Sequence, residues 1–356
     1  MEIAKCNGSY LNDLKEYTGN ILDISGVSSP GAERGIMYMA DSGNIVAMKL
    51  YGDLIYYKRV ARKRPYYDAF MLYLASAGIT VGSNGEVSSA PGSYPPAMRS
   101  VGAYLTDYKM PGPLKDCDDI DIIESMSYGE RLTMALKLAC ACARATVSPQ
   151  AVNLIGRILD KGVRDEELFT CLRPAVINEL GTGGFAGTSL RFQDLDTPAQ
   201  WEAALEACFD EAAGLGYVYA CNNRAARLAS FIIPLAGDKG NEETLNRMID
   251  EYVSYLKASA DKYEPYAANR LGLLYMTGEI CSGNERALFK DRIDRPAAKE
   301  YFLKATAYPD RNSAWAYFNL IKYYHKDYDN NIELLNEHMD MIKKLDPGVY
   351  GLAMEL

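Results

Sequence analysis

Tyr255-Leu256-Lys257-Ala258-Ser259-Ala260 returns as Phe302-Leu303-Lys304-Ala305-Thr306-Ala307, 47 residues further on. Ala267 and Ala314 keep the same offset. Two matches at one offset mark a tandem structural repeat, whose unit buries its apolar face only against a neighbour. The second copy reads as a helix, because Ala298, Phe302 and Ala305 fall on one face at i, i+4, i+7. Asp294 is placed to cap that helix, Pro296 fits its first turn, and Pro309 stops it. A helix from about Asn312 to Tyr324 follows, then one from about Asn331 to Leu345 closed by Asp346-Pro347-Gly348. Helix, turn, helix, turn is the unit.

Earlier copies emerge on working backwards. Phe209-Asp210-Glu211-Ala212-Ala213-Gly214 precedes the first copy by 46 residues. The next helix starts alike each time: Ala151-Val152-Asn153-Leu154-Ile155-Gly156, Ala220-Cys221-Asn222-Asn223-Arg224-Ala225 and Ala267-Ala268-Asn269-Arg270-Leu271-Gly272. Ala314-Trp315-Ala316-Tyr317-Phe318-Asn319 keeps the Ala but loses the Asn and the Gly. Ala47-Met48-Lys49-Leu50-Tyr51-Gly52 is a weaker relative, followed by a second helix ending near Ala75-Ser76-Ala77-Gly78. Strand signals are sparse. The expected fold is therefore all-α, an α-α superhelix (solenoid) of antiparallel helix pairs with irregular loop insertions. The breaker-rich stretch 82–118 reads as a long loop, as does the shorter 181–197. Residues 1–30 read as one helix (Tyr10 to Tyr17) and then loop.

These segments resemble the Sel1-like and tetratricopeptide repeat families of paired helices. The first-helix signature, an Ala, then Leu-Gly four and five on, then an aromatic three after the Gly, is met by Ala267, Leu271, Gly272 and Tyr275. Gly278 sits where a Sel1-like unit turns. The second-helix signature is met by Ala298, Phe302 and Ala305, and Phe209, Ala212, Ala213 and Gly216 resemble a Sel1-like helix end. The sequence departs from the pattern where Leu-Gly becomes Arg224-Ala225 and Phe318-Asn319. The resemblance implies an organisation in two parts. Residues 1–118 read as an N-terminal helical region, either a capping domain or early degenerate repeats (the candidate at 43–78), with a Pro/Gly-rich loop (82–118). Residues 119–356 form Sel1/TPR-like helical repeats.

Composition narrows the function classes. The 356 residues are 48% hydrophobic and 24% charged, values of a folded chain. A net charge of -9 argues against nucleic-acid binding, which needs a basic face. The eight cysteines include no C-x-x-C pair, and several lie in apolar helical stretches, so reduced structural thiols are expected. The start Met1–Gly8 lacks the basic and apolar regions of a signal peptide, and Leu228–Gly237 is too short to cross a membrane. A cytoplasmic protein without a membrane partner is expected.

Motifs for chemistry are few. His325 and His338 read as surface or capping residues on helices. The run Gly181-Thr182-Gly183-Gly184-Phe185-Ala186-Gly187-Thr188-Ser189 lacks the Lys and the Gly spacing of a phosphate cradle. The acidic run Asp116-Cys117-Asp118-Asp119-Ile120-Asp121 lacks the Gly and the distant Glu of a calcium loop and reads as a helix start. No catalytic residue, metal or cofactor is expected.

The resemblance directs attention to Asn153, Asn222 and Asn269, each two residues after the repeat Ala, where tetratricopeptide-like repeats face a concave groove. An amide both donates and accepts, so an Asn ladder suits an extended peptide backbone. Tyr219 and Tyr266 would complete that groove, with Arg157, Arg224 and Arg270 supplying charge for a carboxylate. The competing reading is that each Asn bonds the neighbouring repeat. The 27 tyrosines, against 9 Phe, suit half-buried helix seams and binding surfaces alike. The expectation is a non-enzymatic scaffold for a protein or peptide partner, with a second copy of the chain as a further candidate. The alternative is a ligand-binding or enzymatic protein with a pocket formed by the loops 82–118 and 181–197.

Overall fold

The computed structural model describes residues 30–56, 60–62, 65–81, 87–89, 94–107, 126–181, 183–237, 239–307, 309, 312–327 and 331–356. Among these residues the chain forms 15 α-helices and two short antiparallel hairpins, which is the expected all-α class. No helix among them is long and apolar enough to cross a membrane. The chain divides into two compact units, residues 1–211 and 212–356.

The first unit contains α1 (Pro30–Asp41), α2 (Ile45–Tyr56), α3 (Pro65–Ser76), strands β1 (Ile79–Val81) and β2 (Val87–Ser89), α4 (Pro95–Asp107), α5 (Tyr128–Ala145), α6 (Pro149–Val163) and α7 (Glu166–Gly181). The unit boundary falls inside α8 (Pro198–Gly214). From α1 to α7 each helix packs on the next, and α5 also packs on α7. The second unit continues with α9 (Val218–Leu235), α10 (Glu242–Ala260), α11 (Pro265–Thr277), β3 (Glu279–Ser282), β4 (Glu285–Leu288), α12 (Arg295–Thr306), α13 (Ser313–Tyr323), α14 (Ile332–Leu345) and α15 (Pro347–Ala353). Here too each helix packs on its successor, and α11 also meets α13.

Local chemistry sets the helix starts. Ser127 and Glu130 form a reciprocal capping box on α5, and Ser148 caps α6 ahead of Pro149. Glu264 caps α11, and Asp294 caps α12 through the Ala297 N–H, as the sequence implies. Asp346-Pro347-Gly348 ends α14 but does not end the fold. Asp346 caps α15, with Pro347 in its first turn.

The stretch 82–118 is not simply a loop. It supplies β2, paired antiparallel with β1, and the thirteen-residue helix α4. Pro95 and Pro96 fall in the first turn of α4, where a missing N–H costs nothing. Ala97, Val101 and Leu105 then form a fully buried stripe. The segment 183–197 is irregular, as expected, yet Phe185, Leu190 and Leu195 are buried. The acidic run 116–121 and the helix expected at Tyr10–Tyr17 lie outside the described residues.

The five repeat alanines, Ala47, Ala151, Ala220, Ala267 and Ala314, are all fully buried. Five residues after three of them, glycines lie under aromatic rings. A Cβ on Gly52 would come 2.7 Å from Tyr73, on Gly156 2.7 Å from Phe209, and on Gly272 2.5 Å from Phe302. Each distance is shorter than a packed carbon contact allows, so glycine sets the close approach of the two helices. The turns after α8 and α10 also match. Gly216 and Tyr263, 47 residues apart, both take left-handed φ, and their N–H groups bond Ala213 and Ala260 carbonyls at 2.8 and 2.9 Å.

The hexapeptide itself does not superpose by its letters. Phe302 is fully buried, but its letter match Tyr255 is only half-buried; Leu303 is 48% exposed whereas Leu256 is 1% exposed. Burial instead aligns Leu256 with Phe302 and Ser259 with Ala305, one residue off. One residue rotates a helix face by about 100°. Residue 225 is Ala and not Gly, and residue 256 is Leu and not an aromatic. Ala225 and Leu256 belong to one core cluster.

Candidate functional site

The Asn, Arg and Tyr set lies on α6, α9 and α11, and much of it bonds neighbouring elements. Asn222 on α9 is 8% exposed, and its Nδ2 donates to Glu264 Oε2 at 2.9 Å. The same oxygen accepts the Ala267 N–H at 2.8 Å. One carboxylate thus caps α11 and holds α9. Asn269 on α11 is half-buried and accepts a bond from Asn319 Nδ2 on α13 at 2.9 Å. Asn153 on α6 is 4% exposed, with Arg157 half-buried one turn on.

The arginines are similarly engaged. Arg224 is buried, pairs with Glu251 at 3.3 Å and lies over the Tyr255 ring. Arg270 lies over the Tyr266 ring at 5.1 Å and bonds Cys281 Sγ on β3. Arg270 stays protonated despite its burial, with the Tyr266 and Cys281 side chains facing its guanidinium. Tyr219 remains 51% exposed at the start of α9, its ring centre 5.5 Å from that of Tyr217. The hairpin β3–β4 packs on both α9 and α11, and Ile280 enters their core fully buried. A stability effect follows. Asn222→Ala removes one of two donors to a buried carboxylate and is expected to cost about 1–3 kcal/mol, read as a lower urea midpoint.

A different concavity runs along α5 in the first unit. Its volume is about 660 Å³. Glu130, Thr133, Lys137, Ala141 and Arg144 line it at spacings of three and four, one face of the helix. Met98, Met126, Met134 and Leu138 give it an apolar base, and Cys171 and Glu179 on α7 form the far wall. From Glu130 to Arg144 the face spans roughly 21 Å at 1.5 Å per residue. Gly129 closes one end: a Cβ there would meet Cys171 Sγ at 2.5 Å. The other end is bridged by Arg144, whose Nη1 lies 2.9 Å from Glu179 Oε2 and whose Nη2 donates to the Glu179 carbonyl. Glu130 is held below the usual carboxylate range by its bonds from Ser127. Lys137 is exposed on the open side and makes no ion pair among the described residues.

The two loops named in the alternative reading line separate concavities. Met98 from 82–118 borders the α5 groove, whereas residues 189–195 border another against α8, of about 540 Å³. His325 is exposed on a short 3-10 turn, and His338 on α14 packs edge-on to Tyr317 at 4.8 Å, burial pushing its pKa down. The described cysteines are free thiols, and burial raises Cys140, Cys142, Cys208, Cys221 and Cys281 above the usual thiol range. They are thereby made poor nucleophiles at neutral pH. Among the described residues no three His, Cys, Asp or Glu side chains group to hold a metal. No protein-family model matches the chain, and no curated protein does.

Proposed function

We propose that this chain is a non-enzymatic helical-repeat scaffold, Sel1-like and tetratricopeptide-like in its helix pairs, that holds an amphipathic segment of a partner protein. The buried alanines, the glycines beneath aromatic rings and the successive packing of neighbours support an α-α superhelix of antiparallel pairs. Free thiols suit a cytoplasmic setting.

The observation that carries the binding role is the groove along α5. Its methionines make a polarisable floor that adapts to varied apolar side chains. Its length accepts a helix of about 14 residues. Lys137 on the open side favours an acidic residue in the partner segment, since both would otherwise stay solvated. The Asn and Arg positions on α9 and α11 then act as ties between pairs, while exposed Tyr219 stays available at the edge.

Selection of random fifteen-residue peptides against the full chain tests this. Amphipathic sequences with an acidic residue among apolar ones are expected. Ala141→Arg, which fills the groove without entering the core, is expected to weaken them at least tenfold, or about 1.4 kcal/mol. Selected peptides that bind Ala141→Arg as well as the natural chain would sink the groove assignment.

A further inference from the structure

A smaller concavity, of about 200 Å³, opens between α2, α3 and α4. The rings of Tyr56, Tyr73 and Tyr104 wall it, and Ala103 lies at its side. Phe70 supports Tyr104 from behind, ring centres 4.5 Å apart. That volume equals roughly seven waters at about 30 Å³ each, which suits a compact organic molecule and excludes a peptide.

Among the described residues its charges do not balance. Asp53 is 8% exposed but already matched, because Lys49 one turn back pairs with Oδ2 and the Tyr73 hydroxyl donates to Oδ1 at 2.9 Å. Arg99 on α4 lines the same space, half-buried, and makes no ion pair among the described residues. One positive charge is left over, on the side chain whose planar fork matches a carboxylate in two parallel bonds. A half-buried guanidinium is a strong donor without the full hydration that would compete in open solvent.

We propose that this concavity binds a small organic carboxylate, its anionic end on Arg99 and its body between the tyrosine rings. Lys49 and Tyr73 hold Asp53 so that its charge does not repel the ligand. The site is independent of the α5 groove and needs no partner protein.

Calorimetric titration of the full chain with acetate, pyruvate, succinate and benzoate at constant ionic strength is the test, with acetamide and benzamide as uncharged controls. At least one acid is expected to bind saturably with Kd below about 10 mM, while the amides do not. Arg99→Gln is expected to weaken that acid at least tenfold, and Arg99→Lys by less. Ala103→Leu fills the space without touching any charge, so it is expected to abolish binding at unchanged far-UV circular dichroism even where Arg99→Gln lowers stability. No saturable binding by any of the four acids overturns the proposal, as does undiminished binding by Arg99→Gln or Ala103→Leu. Ala141→Arg should leave carboxylate affinity unchanged, which separates this site from the peptide groove.

Discussion

Phe302→Ala is expected to destabilise the chain by about 3–5 kcal/mol, the cost of a large apolar side chain removed from a packed core. Phe302 is fully buried on Gly272 and stacks on Tyr323, with Met276, Ala298 and Leu320 around it. The reciprocal change separates packing from propensity. Gly272→Ala gains roughly 1 kcal/mol of helix propensity, but its Cβ would lie 2.5 Å from the ring. Overpacking of that kind costs about 1–3 kcal/mol, so a net loss is expected. Phe302→Leu should then rescue Gly272→Ala, because the chain already uses an alanine and a leucine at 225 and 256 in one core cluster. Urea unfolding of the two single variants and the double variant reads the coupling. Strictly additive losses would show that the glycine and the ring do not depend on each other.

Trp201→Ala is expected to cost a similar 3–5 kcal/mol in the first unit. Trp201 is fully buried against Phe169, with ring centres 4.5 Å apart. A Cβ on Gly162 would come 2.4 Å from its ring. The indole also does polar work: Nε1 donates to the Leu195 carbonyl at 3.0 Å in a buried setting. Trp201→Phe removes that bond together with the outer ring atoms that lie on Gly162, so a loss of about 1–3 kcal/mol, smaller than that of Trp201→Ala, is expected. Because Leu195 belongs to the irregular segment 183–197, Trp201→Phe should also speed limited proteolysis there. Unchanged cleavage in 183–197 would mean that Phe185 and Leu190 anchor the segment unaided.

The helices were readable where small residues recur under large ones. Ala267 and Ala314 stood out because a buried interhelical position tolerates little else, and burial of Ala47, Ala151 and Ala220 follows the same rule. The hexapeptide misled by one residue because letter identity ignores which face a helix presents. Helix α4 was hidden by prolines that read as breakers but serve as first-turn residues. The β3–β4 hairpin left a signal, the pair Gly283-Asn284 between short apolar-polar alternations, which the dominant helical pattern outweighed. The α5 groove could not be read, since Met98, Met134 and Cys171 come from three helices and each looks ordinary on its own. The Asn positions recur in the sequence two residues after an alanine. What their amides bond to depended on Glu264 and Asn319, tens of residues away.

The β3–β4 hairpin has a consequence for how the second unit comes apart. A row of helices in which each touches only its neighbours can fray from an end, one pair at a time. The hairpin leaves the chain after α11 and returns to pack on α9, with Ile280 buried between them. Loosening α9 therefore strips cover from residues some fifty positions later. Amide hydrogens from α9 to β4 should exchange together in one cooperative step, while α14 and α15 open on their own at lower cost.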